Sequence, residues 1–166
     1  VIYNYSENTW SIGSLVRTAW LDQDVFDKPL ATASNYLYNQ ESGQDDDGSP
    51  MDNVFVESSD FDLNEGNSLS FIKRIIPDIK FYGSNTDSGG PIINMLLKTR
   101  NFPSESLSTN VTKDVSNNTD QLYVRARARQ AVIRLQSDDD GASGNRLGVQ
   151  WRLGYTRLDL QPDGRR

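Results

Sequence analysis

The sequence predicts an all-β protein: an antiparallel β-sandwich, of the jelly-roll or immunoglobulin-like kind, preceded by the closing strands of a β-propeller. Apolar and polar side chains alternate with a period of two in segment after segment, as they do in half-buried strands. No window places apolar residues at helical spacing over three turns. Long polar intervals separate the segments, which favours two antiparallel sheets stacked about 10 Å apart.

Residues 1–48 are predicted to be the last strands of a propeller. Short strand candidates with aromatic residues near their ends follow one another within about 40 residues, which is the length of one propeller blade. They lie at residues 2–5, 10–15, 18–20, 29–33 and 36–39. Residues 42–50 are polar and end in Pro50, as expected of a linker, so we place a domain boundary between residues 48 and 51.

Residues 51–166 are predicted to form the sandwich. The strand candidates lie at residues 54–57, 68–76, 79–82, 93–100, 122–130 and 150–160. The interval 103–120 is rich in Ser, Thr and Asn and predicts a long loop between the sheets. The apolar phase changes after Gln130, which indicates a bulge or a strand buried on both faces, and a second phase change near Tyr155 indicates another bulge.

Composition excludes several kinds of chemistry. The chain has 166 residues and contains neither Cys nor His. Disulfides, thiolate nucleophiles, iron–sulfur clusters and imidazole-based catalytic or metal sites are therefore ruled out, and we expect neither an enzyme nor a cofactor. No apolar run approaches the roughly 20 residues that span a bilayer, so we expect no membrane partner. Because the sequence begins with Val1 rather than Met, we expect it to be the C-terminal part of a longer chain.

Charge is unevenly distributed along the chain. Residues 1–120 carry 8 basic and 18 acidic side chains, a net charge of −10, whereas residues 121–166 carry 9 Arg and 5 Asp, a net charge of +4. Such a basic end could bind nucleic acid or an acidic surface of a neighbouring subunit. We favour pairing with carboxylates, either of a neighbouring subunit or of an adjoining strand in the same chain, because arginine forks match carboxylates and the arginines lie within strand-like sequence rather than a basic arm.

An arginine ladder is the most specific local feature. In the strand candidate at residues 122–130, Arg125, Arg127 and Arg129 alternate with apolar residues and are expected to share one face. Like charges on one sheet face repel each other unless carboxylates or phosphates answer them. The candidates for subunit contacts are Arg125, Arg127, Arg129, Arg152, Arg157, Arg165 and Arg166.

Other candidate sites have simpler interpretations. The runs Asp45–Asp47 and Asp138–Asp140 suggest calcium, but they lack the alternating spacing of a calcium loop and are interpreted as solvated loops. A pair of carboxylates could support glycoside cleavage, although such a density of acidic residues usually serves solubility; the candidates are Glu57, Asp60, Asp62 and Glu65. The aromatic residues could form a sugar platform, or more simply pack in the blade; they are Tyr3, Tyr5, Trp10, Trp20, Tyr36 and Tyr38.

Several segments, in a fixed order, carry a resemblance to a known family. The chain ends in WRLGYTRLDLQPDGRR at residues 151–166. The earlier segments are YNY at 3–5, WSIG at 10–13, RTAW at 17–20, IKRIIPD at 72–78, LKTR at 97–100 with Pro103, and VRARARQ at 124–130. Together they resemble the tail-hub or nozzle proteins in the head-to-tail connection of tailed bacteriophages, which are often described as packaged-DNA-stabilisation components.

The resemblance implies a virion structural protein of the phage tail or neck. In that family a propeller precedes a sandwich, and several copies form a ring around the DNA channel below the portal and adaptor. The implied function is to join tail to capsid and to help retain packaged DNA, which passes the lumen without sequence-specific binding. Residues 138–148 depart from the family, because they exceed the tight hairpin expected before Trp151.

Two further expectations concern the DNA channel and the alternative function. We expect the acidic body to face any DNA channel, because each Lys or Arg contact with phosphate adds affinity that must be broken during ejection. The alternative is a carbohydrate-binding β-sandwich or a receptor-binding tail module.

Overall fold

The computed structural model describes residues 1–44, 47, 51, 54–82, 90–137 and 148–164. Within these ranges the chain is all-β, as predicted: its strands pair antiparallel in open sheets, and its single helical element is the 3₁₀ turn Asn64–Gly66. The chain divides into two compact units, Val1–Gly43 and Gln44–Arg166, which we call the N-terminal and C-terminal units. The boundary expected between residues 48 and 51 lies largely outside the described residues and stays a prediction.

The N-terminal unit contains five short strands in two small sheets. The strands are β1 Ile2–Asn4, β2 Thr9–Ser11, β3 Ala19–Leu21, β4 Leu30–Ala33 and β5 Tyr36–Asn39. Strands β1 and β2 form a hairpin, and β3, β4 and β5 form a three-stranded sheet in that order. Ser34 and Asn35 make the two-residue turn between β4 and β5 with φ values of 49° and 68°, as a tight hairpin of matching twist requires.

The described residues of the C-terminal unit form ten strands. They are β6 Val54–Glu57, β7 Phe61–Asp62, β8 Ser70–Ile76, β9 Ile79–Phe81, β10 Ile92–Arg100, β11 Ser108–Ser116, β12 Leu122–Ala128, β13 Gln130–Ser137, β14 Trp151–Leu153 and β15 Arg157–Pro162. One sheet has the order β11-β10-β13-β6, with β7 also pairing with β13, and we call it the large sheet. The small sheet has the order β12-β8-β15, and β9 pairs with β14.

Both sheets of the C-terminal unit contribute to one apolar core. The inward face of β10 is fully buried, since Ile93, Met95 and Leu97 are 0% exposed. Ile72 and Ile75 of β8 are also 0% exposed and belong to the same core. Full burial of each aliphatic side chain stabilises the fold by about 1.5–3 kcal/mol.

Two adjoining bulges shape the small sheet. Between the pairs Tyr123↔Arg74 and Ala126↔Ile72, strand β12 has one residue more than β8, and the register shifts there. Between Asp159↔Arg74 and Leu160↔Ile72, strand β8 in turn has one residue, Lys73, more than β15. Because Ile72 and Ile75 are three residues apart, this extra residue is what allows both to face the core.

A single kinked ribbon runs from the small sheet into the β9–β14 pair. Pro77 and Asp78 separate β8 from β9, and residues 154–156 separate β14 from β15. The two breaks are tied together: Asp78 O accepts a hydrogen bond from Gly154 N at 2.6 Å, and Asp78 Oδ2 accepts one from Tyr155 N at 3.0 Å. Beyond the kink, side chains of both strands again pack against the core.

The prediction of a long loop at residues 103–120 is wrong, because strand β11, Ser108–Ser116, lies in the middle of this interval. Strand β11 lies at the edge of the large sheet and, among the described strands, pairs with β10 alone. Most of its side chains are exposed on both faces, with Val115 buried and Val111 partly buried. The strand therefore lacks the regular apolar alternation on which sequence prediction depends.

The phase change after Gln130 marks a strand buried on both faces, which is one of the two expected alternatives. The adjacent residues Ala131 and Val132 of β13 point to opposite faces, and they are 0% and 2% exposed. The phase change also coincides with a change of sheet. Strands β12 and β13 belong to different sheets, and Arg129 alone separates them in sequence. The chain thus crosses from the small sheet to the large one within one residue. The phase change near Tyr155 likewise marks the break between β14 and β15, and a register shift occurs a few residues later, between Asp159 and Leu160.

The substitution Gly154→Ala tests the kink. A Cβ at position 154 would lie 2.4 Å from Asp78 Oδ2, so the carboxylate must move and its hydrogen bond with Tyr155 N is lost. We expect the unfolding free energy of the C-terminal unit to fall by about 1 kcal/mol and the Tyr155 amide to exchange faster in hydrogen-exchange measurements. Gly13→Ala is the control, because nothing lies within 4 Å of that Cβ. Unchanged Tyr155 protection in Gly154→Ala would contradict this account.

Candidate functional site

The most prominent charged feature is a set of cations on β8, β9, β12, β14 and β15, which we call the basic surface. Its members are Lys73, Arg74, Lys80, Arg125, Arg127, Arg152 and Arg157. All seven are exposed or partly exposed. The sequence predicted four of them as contact residues, and the register of the small sheet adds Lys73 and Arg74 beside Arg125 and Arg127.

Two of these cations form ion pairs with carboxylates of the same chain. Arg74 Nε lies 3.0 Å from Asp159 Oδ2 on the adjacent strand β15, and Arg74 Nη1 donates to Gln121 Oε1 at 2.9 Å. Arg127 pairs with the Asp163 carboxylate and donates from Nη2 to Asp163 O at 3.2 Å. The Arg127 pair reaches across β8, since Arg127 is opposite Phe71 and Phe71 is opposite Gln161. The Arg74 contact joins the central strand to β15, and the Arg127 contact joins β12 to the end of β15 on the far side of β8.

Arg125 lies at the bulge of β12. Its φ is 53°, a left-handed conformation in which an L residue with a Cβ is disfavoured by roughly 1–2 kcal/mol and which Gly or Asn adopts more readily. Its side chain is exposed, while its neighbours Val124 and Ala126 are 7% and 5% exposed. At the bulge, the Arg125 guanidinium is therefore exposed to solvent, and the backbone has a conformation that Gly or Asn adopts more readily.

Arg152 faces another cation. It lies directly opposite Lys80 in the β9–β14 pair, where like charges destabilise the pairing unless an anion answers them. The two side chains line a shallow hollow of about 440 Å³ together with Asp78, Leu153, Gly154 and Tyr155. Arg157, at the start of β15, is also exposed.

The predicted ladder of three arginines is reduced to two exposed members. Arg129 follows the last residue of β12, is partly buried, and places its guanidinium 4.9 Å from the centre of the Phe102 ring. Its carbonyl accepts a hydrogen bond from Leu63 N at 2.7 Å. Arg129 therefore packs where the chain crosses between the sheets, and Arg165 and Arg166 lie outside the described residues.

The carboxylates considered for glycoside cleavage are mostly engaged in contacts within the fold. Glu57 pairs with Lys98 at 2.5 Å and with Arg134 at 3.5 Å. Asp60 pairs with Arg100, and Asp62 Oδ1 accepts a hydrogen bond from Gln130 Nε2 at 2.7 Å. The Lys98 hydrogen bond is the main reason why the pKa of Glu57 is lowered from its ordinary value of 4.5, with the charges of Lys98 and Arg134 adding to it and burial opposing it.

Neither a metal site nor a membrane-spanning helix is found in the described part of the chain. No group of three or more Asp or Glu side chains there is placed to hold a metal ion, and no helix there is long and apolar enough to cross a membrane. The calcium candidates at residues 45–47 and 138–140 lie outside the described residues, apart from Asp47.

The N-terminal unit exposes much of its apolar surface. Among its described hydrophobic residues the core consists of Ala31 and Ala33, whereas Trp10 and Trp20 are 70% and 53% exposed. The rings of Tyr3 and Trp10 lie 4.5 Å apart across the β1–β2 hairpin. Sheets of two or three short strands, such as those of the N-terminal unit, need further strands or another surface over their apolar side chains to be stable.

Comparison with known proteins gives no assignment. Searches of protein-family models, of curated proteins and of solved structures found no match to this chain.

Glu57→Gln tests the ion pairs of the large sheet through pH. Because the folded-state pKa of Glu57 lies below its unfolded value, the carboxylate stabilises the fold above the unfolded value, and this contribution is lost as the pH falls through the folded-state pKa. Urea unfolding at pH 7, 5 and 3 should therefore show the variant less stable than wild type at pH 7, with a smaller difference between the two at pH 3. Glu65→Gln is the control, since that exposed carboxylate makes no ion pair with another described residue. A Glu57→Gln deficit that persists unchanged at pH 3 would contradict the assignment.

Proposed function

We propose that the chain is a non-enzymatic structural subunit of a ring in the head-to-tail connection of a tailed bacteriophage. In this proposal it joins tail to capsid, contacts the portal or adaptor and other tail proteins, and helps to retain packaged DNA. The C-terminal unit is a β-sandwich and the N-terminal unit supplies the closing strands of a β-propeller.

One observation carries this proposal. Three segments that resemble the tail-hub family, at residues 72–78, 124–130 and 151–166, are far apart in sequence, yet they supply strands β8, β12 and β15 of one sheet. A chance likeness of short segments would have no reason to converge in this way. Their shared feature is the strand pairing that holds the small sheet together, which suits a protein whose function is assembly rather than catalysis.

The organisation of the two units supports the same proposal. In the C-terminal unit the large and small sheets share one core, which is the arrangement of a sandwich. In the N-terminal unit, short strands with exposed tryptophans leave an apolar surface uncovered, as strands of one blade do until the neighbouring blades are added. Under this proposal those blades belong to a longer form of the protein.

The test is genetic and structural, in a phage that encodes this chain. An amber mutation in its gene should give heads that fill with DNA but lack complete tails and lose DNA on storage, because the ring closes the channel. Gold-labelled antibodies against the chain should bind wild-type virions at the neck or tail. Amber-mutant particles with complete tails and stable DNA, or label elsewhere on the virion, would overturn the proposal.

A carbohydrate-binding module is the second candidate, and the exposed Tyr3–Trp10 pair is the observation that favours it. Adjacent aromatic faces of this kind can stack on sugar rings. Binding of the chain to a glycan array, lost in Trp10→Ala and kept in Trp151→Phe, would support this candidate. Trp151 is the control because it is partly buried and donates to Ser137 Oγ at 2.7 Å. An array without binding would remove the candidate.

A further inference from the structure

Five members of the basic surface make no ion pair with another described residue. They are Lys73, Lys80, Arg125, Arg152 and Arg157, and we call them the surplus cations. The other two members, Arg74 and Arg127, are paired with Asp159 and Asp163. Within the described chain, the two arginines that link strands of the small sheet are therefore paired with carboxylates, whereas the other five cations are not.

We propose that the surplus cations are a docking surface for carboxylates of a second copy of this chain. This inference rests on the proposed function, in which copies of the chain contact one another in a ring, and it names the residues of one side of that contact.

The backbone at Arg125 is the first argument. A φ of 53° suits Gly or Asn better than Arg, and the exposed side chain makes no hydrogen bond or ion pair with another described residue that would offset the difference. A disfavoured conformation that presents an exposed charged group is the kind of feature found at binding sites.

The opposed pair Lys80 and Arg152 is the second argument. The two cations face each other across β9 and β14, and repulsion between them lowers the stability of that pairing. A carboxylate placed over the hollow between them would convert the repulsion into two attractive contacts. Asp78, on the same hollow, already accepts a hydrogen bond from Tyr155 N.

Charge complementarity selects the partner. The whole chain carries −6, which opposes the approach of a polyanion as dense as DNA. A second copy instead offers residues 1–120, with a net charge of −10. Its exposed carboxylates without an ion pair among the described residues include Glu7, Asp24, Asp27, Glu41, Glu65 and Asp120. Arginine forks bind such carboxylates with two parallel hydrogen bonds.

The first experiment measures self-association of the 166-residue chain by sedimentation velocity over a range of concentrations. The variant Arg125→Asn/Arg157→Gln removes two surplus cations, and Asn suits the backbone at position 125. The matched control Lys28→Gln/Lys113→Gln removes the same charge from exposed lysines elsewhere. We expect the first variant to associate about tenfold more weakly than wild type and the control within about twofold, with wild-type association weakened by salt.

The second experiment identifies the contact directly. Carbodiimide cross-linking of a 1:1 mixture of unlabelled and ¹⁵N-labelled chains should give mixed-isotope peptides that join Lys73 or Lys80 to an Asp or Glu. In the sedimentation experiment, Arg125→Asn/Arg157→Gln must keep the near-ultraviolet circular dichroism of the wild type. If it does not, the single variant Arg157→Gln replaces it, and its self-association is expected to be weakened by a smaller factor.

The outcomes separate the inference from the function on which it rests. If the wild-type chain assembles and neither Arg125→Asn/Arg157→Gln nor Arg157→Gln weakens this assembly, the docking surface is overturned and the proposed ring is unaffected. A wild-type chain that stays monomeric at all concentrations would overturn both the docking surface and self-assembly of this chain into a ring. A gel shift of duplex DNA by wild type, lost in Arg125→Asn/Arg157→Gln and kept in the control, would show phosphate rather than carboxylate to be the partner and so also overturn the inference.

Discussion

The structure of the C-terminal unit depends on burying two isoleucines of one strand that are three residues apart. Ile72 and Ile75 of the central strand β8 are both fully buried, although a regular strand turns residues of this spacing to opposite faces. The extra residue Lys73 restores the inward direction, and the neighbouring strands adjust their registers by one residue on each side. The apolar core thus dictates the bulges, and the bulges determine which polar side chains point outward.

The basic surface is a consequence of that constraint. A regular strand would turn one of Lys73 and Arg74 toward the core, whereas here both lie outside it, beside Arg125 at the adjoining bulge. Burying an unpaired charge is costly, so the small sheet can carry this many cations only on its outward side. Arg74 binds to the neighbouring strand through Asp159, Arg127 reaches across β8 to Asp163, and the other cations make no ion pair with a described residue.

The sequence predicted this fold best where a strand has one buried face. The alternation from Leu122 to Ala128 appears without exception in the burial of β12, and the inward face of β10 could be assigned in the same way. Strand β11 was missed because only Val111 and Val115 contact the core, which is too few to show a period. Lys73 could not be recognised as a contact candidate, because a bulge inside an apolar run depends on pairing with strands from distant parts of the chain. Arg129 was placed in the ladder because the phase change after Gln130 indicates an irregularity but does not show that the chain passes to a second sheet one residue earlier.

That change of sheets has a consequence for how the C-terminal unit folds. Strands β12 and β13 are joined through Arg129 alone, yet β12 pairs with β8 and β13 pairs with β10. Neither strand can find its partner through a local hairpin, so both sheets must be drawn together at the same time from distant segments. A topology of this kind gives slow, cooperative folding with few stable partial structures, and the short connection at Arg129 couples the formation of one sheet to that of the other.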